Sequence, residues 1–148
     1  MNVKQVAKSI ANDCIGYRVR MLSRVVSRMY DDAMRPHGVR FSQMNILTTV
    51  ALKGPIQPVE VGRLLSLEKS TLSRNVRVME QNGWIKSESV TSGVGHHLRI
   101  TKQGERLYQA AAPAWRKAQK QVEELLGDDG TCAIKRAVEQ VRENEKSQ

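Results

Sequence analysis

Residues 59–88 read VEVGRLLSLEKSTLSRNVRVMEQNGWIKSE, and the order of apolar and polar side chains along them decides the fold. Leu72, Val76 and Met79 fall within about 60° of each other on a helical wheel, and Ser70, Arg74, Arg77 and Gln81 fall on the opposite side. A helix over residues 67–83 is predicted, packing with one face and presenting the other. The presented stripe, edged by Thr71 and Ser73, carries donors and acceptors suited to base edges and phosphates, and an arginine can bond O6 and N7 of a guanine together. A charged helix face is by default only a solvated face, so its neighbours carry the argument.

Upstream, Pro58 takes a first-turn position and opens a short helix with Val59, Val61, Leu64 and Leu65, closed by a tight turn at Leu65-Ser66-Leu67. Downstream, Asn82-Gly83 stops the polar-faced helix. Residues 84–88 read as a first strand, 91–95 as a turn and 97–100 as the return strand. Short helix, tight turn, polar-faced helix and hairpin make a winged helix-turn-helix. Further out, Ile15, Val19, Leu22, Val26, Met29 and Ala33 form one face of a helix from Asn12 to about Arg35, ended by Pro36 and Gly38. A second helix is expected from Ser42, as N-cap, to Gly54-Pro55. Beyond an N-cap at Thr101, Leu107, Ala111, Trp115, Ala118, Val122 and Leu125 line a long helix with a kink expected at Pro113. Residues 127–130 are expected to break it before a last helix carrying Ile134, Val138 and Val141. The predicted fold class is mainly α with a small β-hairpin wing.

The chain has 148 residues and a net charge of +9, enough for one compact domain with helical extensions. Residues 1–100 hold 15 Lys/Arg against 7 Asp/Glu, whereas residues 101–148 hold 9 against 8, so a polyanion is expected to meet the first two thirds. No apolar run reaches signal-peptide or membrane-spanning length, so a cytoplasmic protein without a membrane partner is expected. Two cysteines, Cys14 and Cys132, make neither a disulfide framework nor a metal-ligand pair. Three histidines without placed carboxylates, no phosphate-cradling glycine loop and no metal spacing leave nothing to carry catalysis; no enzyme, metal or cofactor is expected.

Residues 59–88, together with LRITKQGERL at 98–107, closely resemble the MarR family of winged helix-turn-helix transcriptional regulators, and the resemblance runs from about Cys14 to Gly127. It implies a homodimer that places residues 67–81 in the major groove of double-stranded DNA at an inverted-repeat site. Ser70, Thr71, Ser73, Arg74 and Arg77 then become the DNA contacts, with Gln81 on the same stripe. One domain over residues 1–148 is expected, with a DNA-binding lobe at about 42–104 and dimerisation helices at about 1–38 and 105–148. The function implied is a ligand-responsive repressor, with a small aromatic or phenolic effector held between lobe and dimer helices. Family members carry an acidic residue and two arginines at the wing tip. Ser92, Gly93 and Val94 stand there in this chain, leaving Arg99 and the pair His96-His97 as substitutes on neighbouring, alternating positions.

Other residues admit two readings. Arg18 falls inside an apolar stripe, where an unpaired charge is costly, so it is read as an ion pair at a subunit junction, with a ligand clamp as the alternative. Trp84 and Trp115 read as core, and His37 as a turn residue. Thiol-based redox sensing through Cys14 is a competing function, but aligned through Tyr30 the peroxide-sensing cysteine of relatives falls at Gly16 and a supporting tyrosine at Phe41. Buried, inert thiols are therefore expected. A winged helix used as a protein-interaction module is the remaining alternative, opposed by the polar Ser/Arg/Gln stripe.

Overall fold

A computed structural model describes residues 1–89 and 95–147. In chain order the elements are α1 (Val3–Asp13), α2 (Ile15–Met34), a 3-10 turn (Arg35–His37), α3 (Phe41–Lys53), α4 (Pro58–Leu65), α5 (Lys69–Gln81), β1 (Ile85–Ser89), β2 (His96–Ile100) and α6 (Lys102–Lys146). This is the mainly α fold with a two-stranded antiparallel hairpin that the sequence predicts. The residues form two compact units, Asp31–Ala114 and a second assembled from Met1–Tyr30 and Trp115–Gln148.

The Asp31–Ala114 unit has its own core. Ile46, Leu47 and Val50 of α3, Val61 of α4, Met79 of α5 and Leu98 of β2 are sealed from solvent, each contributing about 1.5–3 kcal/mol of burial. The start of α3 corrects the expectation of a Ser42 cap. The helix begins at Phe41, and the Phe41 N–H donates to Asp31 Oδ1 at 2.8 Å while the Arg40 N–H donates to Gln43 Oε1 at 2.9 Å. A carboxylate ten residues upstream thus does what a local hydroxyl was expected to do.

Between α4 and α5 the chain turns through Ser66, which adopts the left-handed conformation at φ 50°, and the Leu67 N–H closes the turn on Gly62 O at 2.9 Å. Leu72 and Met79 are buried, with Val76 half-buried against the same core, so α5 packs on the face its periodicity predicts. Past Gly83, at φ 71°, the hairpin pairs Ile85 with Ile100, Lys86 with Arg99, Ser87 with Leu98 and Glu88 with His97. Leu98 also bridges Ile56, a pairing that the sequence pattern does not announce. The Thr101 cap is present: Gly104 N–H donates to its Oγ1 at 3.0 Å, and the hydroxyl lies 2.5 Å from Gly83 O. Gly104 is obligatory here, because a Cβ would stand 2.1 Å from Trp84 O.

The helical unit differs from expectation at several places. The helix expected from Asn12 to about Arg35 is α2, which starts only at Ile15, and it is preceded by a helix the sequence reading did not name, α1, with Cys14 in extended conformation between them. An Asn2–Gln5 capping box starts α1, and the Tyr17 N–H donates to Cys14 Sγ at 3.4 Å, so the sulfur caps α2. Along α6 only Gly127, at φ 70°, leaves helical geometry; the backbone stays helical at Pro113, and residues 128–130 are already helical again. One left-handed glycine suffices for the break that four residues were expected to make. Trp115 is 40% exposed rather than core. No helix of the described residues is long and apolar enough to cross a membrane.

Candidate nucleic-acid interface

The side chains singled out in residues 67–83 come together on one surface. Ser70, Ser73, Arg74, Arg77 and Gln81 are exposed, and Thr71 is half-buried at the edge. Arg74 and Arg77 have no hydrogen-bond or ion-pair partner among the described residues, whereas other cations of this unit are paired. Arg35 is held by Asp32, Arg63 by Glu60, Lys102 by Glu105, and both Lys86 and Arg99 by Glu88. The one carboxylate within α5, Glu80, is turned to β1 and accepts from Ser87 Oγ at 2.5 Å. Two neighbouring guanidiniums therefore stand among small hydroxyl side chains with their donors unspent, at a small repulsive cost along the helix. That chemistry suits guanine edges and phosphates.

The hairpin is fastened beside this helix. Ser87 ties β1 to Glu80, the Trp84 N–H donates to Met79 O at 2.9 Å, and Gln103 Nε2 donates to Asn82 O at 3.0 Å. Arg99 stands on the hairpin face opposite Leu98, beside Lys86 and Glu88. Sequence reasoning named Arg99 but missed Lys86 and Glu88; their alternation with Leu98 becomes visible only once the register is known. Hydrogen bonds from Lys86, the larger influence, and from Arg99 hold the Glu88 carboxyl below its ordinary range. Ser92, Gly93 and Val94 lie outside the described residues.

Between α4 and α5 an open groove of about 590 Å³ is lined by Val59, Leu67, Leu72 and Val76, with Arg63, Lys69 and Ser73 also on its wall. Arg18 is not ion-paired among the described residues. Its exposed guanidinium donates through Nε to Asn12 O at 2.9 Å, closing the end of α1, so the junction charge is satisfied by a helix-end carbonyl rather than by an acid. Cys14 and Cys132 are both exposed in the chain by itself, contrary to the expected burial, because Cys14, in the break between α1 and α2, and Cys132, on α6, have almost no core beneath them. Tyr30 is buried and donates to Gln119 Oε1; burial, then Glu123, raises its pKa. Among the described residues no cluster of His, Cys, Asp or Glu could hold a metal ion.

A two-helix motif with an exposed polar helix and a fastened hairpin defines a winged helix-turn-helix protein. Residues 37–93 match the model of the MarR family. The Bacillus subtilis (strain 168) protein YwoH, described as an uncharacterised HTH-type transcriptional regulator, is 25% identical over 120 residues, covering 81% of this chain and 85% of its own. The M. tuberculosis transcriptional regulator MosR in complex with DNA matches with a TM-score of 0.77 at 25% identity, over 91% of this chain and 98% of that one. A mutant MarR from E. coli complexed with operator DNA shares the fold, with a TM-score of 0.79 at 16% identity over 90% and 96% of the two chains. Over these residues the chain is similar to MarR-family transcriptional regulators.

Proposed function

We propose that the chain is a cytoplasmic, ligand-responsive repressor that binds an inverted-repeat site in double-stranded DNA as a homodimer, reading bases with α5. The observation that carries this reading is the unpaired Arg74–Arg77 pair on the exposed face of a helix whose other face is locked into the core. Pairing with a homologous copy accounts for the helical unit, where Ile15, Val19, Leu125 and Val141 are each more than half exposed; contiguous apolar surface of this kind marks an interface. The residues of the helical unit, with the flanking ends of the other, then serve as dimerisation helices, and two α5 helices one helical turn apart read a symmetric site. The apolar groove between α4 and α5, with Arg63 and Lys69 on its wall, offers a small aromatic or phenolic effector a place against the reading helix.

The test selects duplexes bound by the wild type from a random pool, then compares Arg74→Ala on the selected site and on random DNA. Loss of a bidentate base contact is expected to remove about 1–3 kcal/mol of discrimination per half-site. A folded Arg74→Ala protein that discriminates as well as the wild type would show that α5 is not the reading helix.

A further inference from the structure

The hairpin carries a charge arrangement of its own. On the face turned away from α5, Lys86 and Glu88 of β1 stand beside His97 and Arg99 of β2, while Leu98 and Ser87 occupy the other face. Glu88 spends one carboxylate oxygen on each cation: Lys86 Nζ lies 2.6 Å from Oε1 and Arg99 Nε lies 3.2 Å from Oε2. Glu88 and Arg99 are diagonal neighbours across the ladder, a spacing that long side chains bridge. The arginine is held through Nε, its terminal nitrogens have no hydrogen-bond or ion-pair partner among the described residues, and its side chain is 47% exposed.

We propose that Glu88 is a positioning residue that fixes Lys86 and Arg99 as an oriented pair of phosphate-binding cations on the stem of the wing, meeting the DNA backbone that flanks the groove read by α5. The inference rests on the proposed DNA-binding role and deepens it. Two physical points support it. An exposed ion pair contributes little to stability, so folding alone gives small reason to place a carboxylate between two cations on a DNA-facing element. Prior ordering of a long side chain, by contrast, removes an entropic cost that each phosphate contact otherwise carries. The site takes phosphodiester oxygens, with no base preference.

The sign of one substitution separates this role from simple charge. Glu88→Gln makes each chain more positive by one unit; if net charge alone governed binding, affinity for duplex DNA would rise. Positioning predicts the reverse: roughly three- to tenfold weaker binding to the selected site, with part of the loss recovered in Glu88→Asp. Adding Glu88→Gln to the Lys86→Gln/Arg99→Gln double variant should weaken binding no further, because both cations it positions are gone. Arg99→Gln should also flatten the dependence of log affinity on log salt by about 0.9 per protomer. Glu88→Gln binding as tightly as the wild type or tighter overturns the proposal, and so does an unchanged salt slope in Arg99→Gln, which also covers the case of a misfolded Glu88 variant. Arg74→Ala run alongside keeps the two levels apart. If it loses discrimination while Glu88→Gln binds normally, only the positioning role falls; if it loses nothing, the reading-helix assignment falls with it.

Discussion

The Asp31–Ala114 unit and the helical unit differ most in where their apolar side chains go. The former hides most of its large aliphatic residues in one cluster drawn from five helices and the hairpin. Among the described residues of the latter only Tyr30, Ala118 and Val122 are buried, while Val3, Ile15, Val19, Leu125 and Val141 lie open. The first can hold its shape as a single chain. The second has the amphipathic pattern of a packed helix without enough chain to pack against, and unsatisfied apolar area of that size is a statement about association rather than about stability.

The sharpest way to break this contrast is Leu98→Ala, which empties a fully buried position and is expected to lower stability by about 2–5 kcal/mol in urea unfolding. That loss should be the same at every protein concentration above full assembly; a concentration-dependent loss would mean that the core, too, depends on assembly. Next in size is Leu125→Asp, on a side chain 57% exposed in the single chain. Sedimentation equilibrium should show the association weakened by at least about tenfold, roughly 1.4 kcal/mol. An unaltered association constant would take that face out of the interface. The smallest effect is on pH. Because Glu88 has its carboxyl lowered in the folded chain, its contribution is present above the ordinary carboxylate pKa and is lost as pH falls below that range through the lowered folded value. Amide chemical shifts along β1 and β2 should move in that window and recover on return to neutral pH. Shifts that stay fixed would leave the Glu88 contacts without a role in solution.

What could be read from the sequence follows the range of the interactions concerned. The α5 faces, the Ser66 turn, the hairpin and the Thr101 cap depend on residues within a few positions of one another, and periodicity or turn chemistry reports them. The cap of α3 does not, because Asp31 reaches Phe41 from ten positions away while Ser42 offers a plausible local signal. Helix α1 goes unread because the apolar stripe that announces α2 begins only at Ile15, beyond Cys14. Trp115 and the two cysteines were assigned to the interior by residue type, yet their exposure depends on how much chain surrounds them, which a wheel cannot show. Among the predicted DNA contacts, the α5 set is gathered on one surface as expected, whereas Glu88 escaped notice because its importance comes from the cross-strand register.

The hydroxyl of Thr101 has a consequence for signalling. It joins the first turn of α6 to Gly83, immediately after the last turn of α5, while the Thr101 N–H donates to Trp84 O at 3.0 Å. Two elements far apart in sequence thereby share one small clasp with no slack. Under the proposed function, coupling of this kind is reciprocal: the factor by which a ligand acting on the first turn of α6 changes the affinity of α5 for DNA equals the factor by which DNA changes the affinity for that ligand.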